Sequence, residues 1–406
     1  MKKSHIALAI AALVPAFAQA QSNVTLYGVA EPTIDVGYKR TVTGTSTVGG
    51  VTTATASTTY KPGFRLQDGN DQGQGTSRIG FRGNEDLGGG MKANFQFEMG
   101  IRIDDGCVTT GAGNVCSSGA SGGNLFGRNA WAGLSGGFGE IRLGRQVLGS
   151  FGVQANSWVA GSSNGLYEVG AYNPGNSGST PLMGGVRFSN AIKYISPNFG
   201  GLVASVSVAA PETQISNLSS TNVATSTGQK TGLDFTVEYG AGPVYLGFGY
   251  NKVGTSAVTG VASTSRADEI KAYTVGGSFN LGVVQPYVNY TRQTTSGVTF
   301  VPTSTETVHK AFSVGIKAPV GALTLIASYG KGDIDSTSTA ANVTVGAGAT
   351  AVKAYQLGTQ YSLSKRTTLE ANLGQFRSDA VTPTPTGFTT GAIRVKALNL
   401  GVRHAF

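Results

Sequence analysis

The sequence predicts an all-β fold, a transmembrane 16-stranded antiparallel β-barrel. Three observations carry that expectation. Segments of about ten residues in which apolar and polar side chains alternate recur sixteen times, an even number. Their connections are alternately tight turns and long stretches rich in Ser, Thr, Gly and Asn. Charged residues make up only 13% of the chain, where about 25% is usual for a soluble domain, and 61 of the 406 residues are glycine. Low charge suits an outer surface that does not face water. The mean hydropathy of -0.01 is no objection, because outward apolar and inward polar residues cancel along each strand.

The chain opens with Lys2 and Lys3, an apolar stretch from Ile6 to Leu13, and the small-x-small sequence Ala18-Gln19-Ala20. This pattern predicts a cleaved signal peptide over 1–20, leaving 21–406 as the barrel. The apolar run is well short of the roughly 20 residues a spanning helix needs. Later apolar runs are broken within a few residues by Gly, Ser, Thr, Asn or a charge.

Strands are expected near 24–38, 77–87, 91–103, 125–135, 140–150, 188–197, 201–210, 231–240, 244–253, 268–281, 284–294, 309–319, 322–332, 351–363, 367–377 and 391–406. The period is plainest where Met91, Ala93, Phe95, Phe97 and Met99 oppose Lys92, Asn94, Gln96 and Glu98. It returns where Leu233, Phe235, Val237 and Tyr239 oppose Asp234, Thr236 and Glu238. The final strand carries Leu398, Leu400, Val402 and His404 on one face, with Ala397, Asn399, Gly401 and Arg403 on the other. A strand kept intact to Phe406 suggests closure against the first strand, Val24 to Tyr38.

Tight turns fall after alternate strands, at GGG (88–90), SGGFG (135–139), NFG (198–200), AGP (241–243), VG (320–321) and KR (365–366). Short turns on one rim and long loops on the other match a membrane barrel rather than a sandwich. Sixteen strands also enclose a space too wide for side chains to fill. Tyr239, Tyr250, Tyr287, Tyr290, Tyr329, Tyr361, Phe279 and Phe406 lie near strand ends, where interfacial aromatic girdles belong.

Cys107 and Cys116 lie in the segment GCVTTGAGNVCSS. In an exported chain this spacing reads as a disulfide closing a surface loop, worth about 2 to 3 kcal/mol of stability and no chemistry. Without Lys2 and Lys3, 28 basic residues face 21 acidic ones, a net of +7. No basic helix, like-charge run or aromatic-basic array accompanies that excess, which argues against a nucleic-acid partner.

The segments VTLYGVAEPTIDVGY (24–38), SRIGFRGNEDLGGGMKANFQFEMG (77–100), RNAWAGLSGGFGEIRLGRQ (128–146), NAIKYISPNFGGL (190–202) and the terminal GVRHAF resemble a known family. It is that of the Gram-negative general-diffusion porins, in particular the trimeric betaproteobacterial type of Neisseria, Bordetella, Comamonas and Burkholderia. From about 210 to 390 the resemblance is mainly one of strand pattern. It implies a homotrimer in the outer membrane, one pore per subunit, and a third extracellular loop folded inward. That loop is 148–187 here, carrying Trp158, Tyr167, Tyr172 and Pro174. The resemblance also implies contact with outer-membrane lipid and lipopolysaccharide, and with the barrel-insertion machinery, for which Phe406 is the expected assembly signal.

The family's basic cluster opposite the loop maps onto Arg78, Arg128 and Arg187. Alternation turns Arg78 and Arg82 inward, since Ile79 and Phe81 point out; Arg142 opposes Ile141 and Leu143, and Lys92 opposes Met91 and Ala93. Arg128 shares parity with Phe126 and Leu134, which leaves its direction open. Between Gly149 and Gly185 the loop holds one acid, Glu168, and no Lys or Arg, so basic wall residues are expected to dominate the constriction. The functional expectation is passive diffusion of small hydrophilic solutes and inorganic ions, with anion preference and no cofactor or metal. A substrate-preferring channel for an organic anion or sugar, docking on Trp158, Tyr167 and Tyr172, is the second reading.

GNEDLGGG is not a phosphate loop, because no Gly-Lys-Ser/Thr follows it. An outer-membrane hydrolase would need a nucleophile with a positioned base. Beyond the leader the chain offers only His309 and His404, neither beside a GxSxG motif. The sequons at Asn23, Asn217 and Asn342 carry no argument.

Overall fold

The computed structural model describes residues 23–48, 51–60, 63–68, 77–110, 113–114, 125–159, 186–210, 231–254, 267–299, 303–340, 343–384 and 387–406. The expected signal segment 1–20, Cys116, Glu168, Tyr167, Tyr172 and Pro174 lie outside them. Among the described residues, sixteen strands form a closed antiparallel barrel.

The first strand, β1, comprises Asn23–Ala30 and Pro32–Val48. The second, β2, descends in three pieces, Val51–Tyr60, Phe64–Asp68 and Arg78–Gly88. Each piece pairs with a successive part of β1. Then come β3 (Met91–Ile101), β4 (Asn129–Gly136), β5 (Gly139–Val147), β6 (Arg187–Ile195), β7 (Leu202–Ala209) and β8 (Gly232–Ala241). The series continues through β9 (Val244–Gly254), β10 (Ala267–Phe279), β11 (Gln285–Thr299), β12 (Thr303–Val320), β13 (Leu323–Ala340), β14 (Val343–Ser362), β15 (Thr367–Thr384) and β16 (Gly387–Ala405). Closure falls between β16 and β1, from Val48 opposite Gly387 down to Val29 opposite Ala405. A closed ring leaves no unpaired strand edge in lipid, where an orphan peptide group would cost several kcal/mol.

Two differences from the sequence reading concern length. Val51–Tyr60 and Phe64–Asp68 are paired strand, and β12, β13 and β14 run to 18, 18 and 20 residues. Their upper halves are Ser/Thr-rich and read as loop. Polarity reports contact with water, whereas alternating Thr and Val keep the backbone extended and pairable. The short turns sit where expected, and Gly89, Gly242 and Gly321 take φ of +61°, +56° and +63°, a conformation that suits glycine.

The side-chain pattern is inverted relative to a soluble protein. Large apolar residues are exposed around the outside, among them Ile192, Leu246, Leu357 and Leu373, while Asp234, Thr236, Asn251, Asn289, Thr291 and Asn372 are buried inside. Tyr239, Phe279, Tyr329, Tyr361 and Phe406 are exposed, as an aromatic girdle requires. Tyr287 is a correction: it packs against buried Val159 and Ile326. Its face is that of Asn289 and Thr291, which strand parity dictates.

After β5 the chain enters a short helix, α1 (Gly149–Asn156). Leu148, Phe151, Phe188, Ala191, Ala209 and Val253 form a buried cluster beneath it. No described helix is long and apolar enough to cross a membrane.

Candidate functional site

The first element of the site is a concentration of charge around Glu98, on the inward face of β3 and 5% exposed. Register explains the meeting: Glu98 stands opposite Gly80 of β2 on one side and Asn129 of β4 on the other. Arg128, just ahead of β4, donates from Nε to Glu98 Oε1 at 2.7 Å, and Asn129 Nδ2 donates to the same oxygen at 3.3 Å. Arg78 Nε lies 3.8 Å from Glu98 Oε2, and the Tyr27 hydroxyl donates to that oxygen at 2.9 Å. Arg187 is close enough to interact with Arg128, Arg145, Arg78 and Glu98. Its Nε is buried with no hydrogen-bond partner among the described residues.

Arg78, Arg128 and Arg187 therefore gather around Glu98, with Arg145 beside Arg187. Arg145 is held by Gly127 O at 2.7 Å and Ser189 Oγ at 2.6 Å, neither of which neutralises it. Alongside, Arg403 Nε sits 3.5 Å from Oε2 of Glu31, a residue 1% exposed in the break of β1. A cluster with more guanidinium than carboxylate raises the local concentration of anions and repels cations.

The structure thus brings Arg78, Arg128 and Arg187 together and adds Glu98, Arg145 and Arg403. Arg82, Arg142 and Lys92 stand apart, nearer the short-turn rim. Arg82 lies over the Tyr27 ring at 5.0 Å, and Arg142 over Trp131 at 4.2 Å with Nη2 donating to Glu140 at 2.7 Å. Lys92 is exposed beside the first short turn. Glu98 was legible as an inward residue, but only register shows what it meets. Arg187 is placed by an irregularity: between Gly144 and Gln146 the β5–β6 register shifts, and Asn190 takes φ +49°. The bulge puts Phe188 and Ala191 in one buried cluster, breaking the simple period.

The second element of the site is the segment from Leu148 to Val159. Leu148 at the N-cap of α1 has no side-chain acceptor. The wall supplies one: Asp234 of β8 accepts from Gly149 N at 2.8 Å, from Ser150 N at 3.3 Å and from the Ser150 hydroxyl. A carboxylate at a helix N-terminus satisfies orphan donors and complements the dipole. Further along, Gln154 Nε2 donates to Thr291 at 3.2 Å and Asn289 Nδ2 donates to Ser157 Oγ at 2.6 Å.

The wall beneath is cleared by glycine. A Cβ on Gly247 would lie 2.7 Å from Val153 Cγ1, on Gly249 2.7 Å from Ser150 Cα, and on Gly315 2.6 Å from Val159 Cβ. Residues 148–159 therefore lie across the inner faces of β8 to β12. Trp158 is 4% exposed, which removes it as an open docking surface. Cys107 is buried and is not a free thiol. Among the described residues no His, Cys, Asp or Glu group is arranged to hold a metal.

Residues 7–381 match the Gram-negative porin family. The chain belongs to that family. Outer membrane porin protein 32 of Delftia acidovorans is 33% identical over the whole of both chains. An outer membrane porin protein of Bordetella pertussis is 28% identical, again over both chains entire. Among solved structures, an anion-selective porin from Comamonas acidovorans superposes with a TM-score of 0.57 and 25% identity, covering 95% of this chain and 100% of that one. The protein is an outer-membrane β-barrel porin, a channel rather than an enzyme, and the barrel hydrolase reading is set aside.

Proposed function

We propose that this porin prefers anions, and that Arg78, Arg128, Arg187 and Arg145 around Glu98 set the preference. The gathering of Arg78, Arg128 and Arg187 around Glu98, with Arg145 next to Arg187, carries the proposal. Small hydrophilic solutes and inorganic ions pass down their own gradients; the protein supplies an aqueous path, a size limit and a field. Residues 148–159, pinned by Asp234 and the glycine-lined wall, narrow the path. The similarity to an anion-selective porin supports the same sign of selectivity.

Reversal potential in a KCl gradient across a planar bilayer tests the proposal. Wild type is expected to favour chloride, and Arg128→Gln and Arg187→Gln to lower that preference. A cation-selective wild type overturns it.

The assembled form we propose is a homotrimer whose outer faces meet membrane lipid and lipopolysaccharide. Phe406 is its recognition residue for the barrel-insertion machinery. Unheated against heated electrophoresis measures the oligomer; a single monomeric band in both samples excludes the trimer.

A further inference from the structure

The outer wall carries a charge pattern of its own. On the outward faces of β13 to β16, Lys331 stands directly opposite Lys353, Lys353 opposite Arg377, and Arg377 opposite Arg394. All of these side chains are exposed. Like charges directly opposite one another on a sheet are destabilising, yet here the row runs across four strands, about 14 Å at roughly 4.8 Å per strand. Two acids lie one step nearer the long loops: Asp333, 3.7 Å from Lys331, and Asp379, which pairs with Arg377. Lys353 and Arg394 make no ion pair or hydrogen bond with a described residue. Lys396 adds a cation one step below Arg394, so five cations face two acids, a local net of +3.

What lies beneath the row sets its depth. Between it and the short-turn rim, Lys396 is the one charged residue at the outward positions of these strands. Tyr329 stands opposite Tyr355, whose hydroxyl donates to Gln375 Oε1 at 2.7 Å, and below them come exposed Leu357, Leu373 and Leu398. From Leu323, beside a short turn, to Lys331 is about 27 Å along the strand, or about 20 Å along the barrel axis at a tilt of about 40°. The apolar outward band of such barrels is roughly 25 Å tall, with aromatic residues at its borders. The cations therefore stand just beyond the tyrosines, where hydrocarbon gives way to headgroups on the long-loop side.

We propose that this row is a docking site for a membrane glycolipid that carries two phosphates on its sugar headgroup. One phosphate has oxygens enough to bridge two cations on neighbouring strands, so four residues in line hold two phosphates. Lys331 and Lys353 take one, and Arg377 and Arg394 the other, with the guanidinium groups able to bond in pairs. The acyl chains then run down over Leu357, Leu373 and Leu398. Bound phosphate turns the repulsion between opposed cations into attraction to a shared anion. This inference rests on the proposed contact of the outer face with lipopolysaccharide, and adds the residues that make it and the group they hold.

The test is binding of bisphosphorylated lipid A to the detergent-solubilised porin, followed by native mass spectrometry, together with the unfolding temperature read by electrophoresis. Lys353→Gln and Arg394→Gln are each expected to weaken binding about fivefold, the worth of one interfacial cation, and the double variant about 25-fold. Lys365→Gln removes the same charge from a short turn at the opposite rim, and is expected to stay within about twofold of wild type. Without lipid, the first two variants should be at least as heat-stable as wild type, because like-charge repulsion is relieved. Added lipid A should reverse that order. Variants destabilised equally with and without lipid would make the row structural and overturn the site, as would a loss in Lys365→Gln equal to that in Lys353→Gln. Displacement of lipid A by an equal concentration of inorganic phosphate would assign a free-phosphate site and overturn the lipid one. Equal binding of dephosphorylated lipid A would sink the row while leaving lipid contact standing; binding of neither lipid would sink both.

Discussion

Substitution Gly249→Ala tests how the inward segment is held. Gly249 lies on the inner face of β9 under the first turn of α1. An added Cβ would stand 2.7 Å from Ser150 Cα and 2.8 Å from Ser150 Cβ, where ordinary contact begins at 3.4 Å. Ser150 must therefore retreat by about 0.7 Å. The nearest wall atom, Thr274 Cγ2 at 3.2 Å, is a methyl group that can yield, so the strain falls on the helix. A retreat of that size stretches the Gly149 bond to Asp234 from 2.8 Å to about 3.5 Å, the outer limit of a hydrogen bond. Overpacking of this kind costs about 1 to 3 kcal/mol, and 2 kcal/mol raises an undocked population roughly 30-fold. Single-channel recording is expected to show larger or noisier open-state current. Gly391→Ala, where the nearest atom is 3.8 Å away, should behave as wild type. Wild-type conductance and noise in Gly249→Ala, with the protein correctly assembled, would refute the pinning argument.

Four further outcomes follow from the same contacts. Asp234→Ala strips three hydrogen bonds from the start of α1 and should reproduce the noisy phenotype, at a cost of about 1 to 2 kcal/mol to the docked segment, whereas Asp234→Asn, keeping an acceptor, should fall between; identical currents in all three rule out the cap. Glu98→Gln removes the negative charge at the centre of the cluster and should raise chloride preference while lowering the barrel's melting temperature; a fall in chloride preference contradicts the assigned polarity. Deleting Phe406 removes two hydrogen bonds to Gly28, at 2.9 and 3.1 Å, and the ring over that glycine, so assembled protein should drop sharply while surviving channels conduct normally. Peptide mapping without reductant should recover Cys107 linked to Cys116; free alkylated Cys107 would remove the disulfide.

The barrel was legible because its determinant is local. Alternation along β3, from Met91 to Met99, is a statement about which side meets lipid, and it needs no knowledge of neighbours. The same holds for the glycine turns and for the inward direction of Arg78, Arg82, Arg142 and Lys92. The loss of register information explains each omission. Glu98 meets Arg128 because β3 stands opposite β4 at Asn129, and no property of either segment alone sets that offset. The helix α1 was invisible because GSFGVQAN has three poor helix formers in its first four residues and no N-cap side chain. Its cap comes from Asp234, 84 positions along the chain from Ser150.

By itself, the sequence determined the fold class, the strand count, the inward and outward faces and the family. Those follow from side-chain period and local turn chemistry, which read out directly against water and lipid. Tertiary structure alone decided which charges share a neighbourhood, that Arg78, Arg128 and Arg187 gather around Glu98, that Arg82 and Arg142 lie apart over aromatic rings, and that glycines of the wall make room for residues 148–159. These depend on hydrogen-bond register and on one bulge near Asn190. A shift of two residues leaves every side chain on its own face while changing each cross-strand partner.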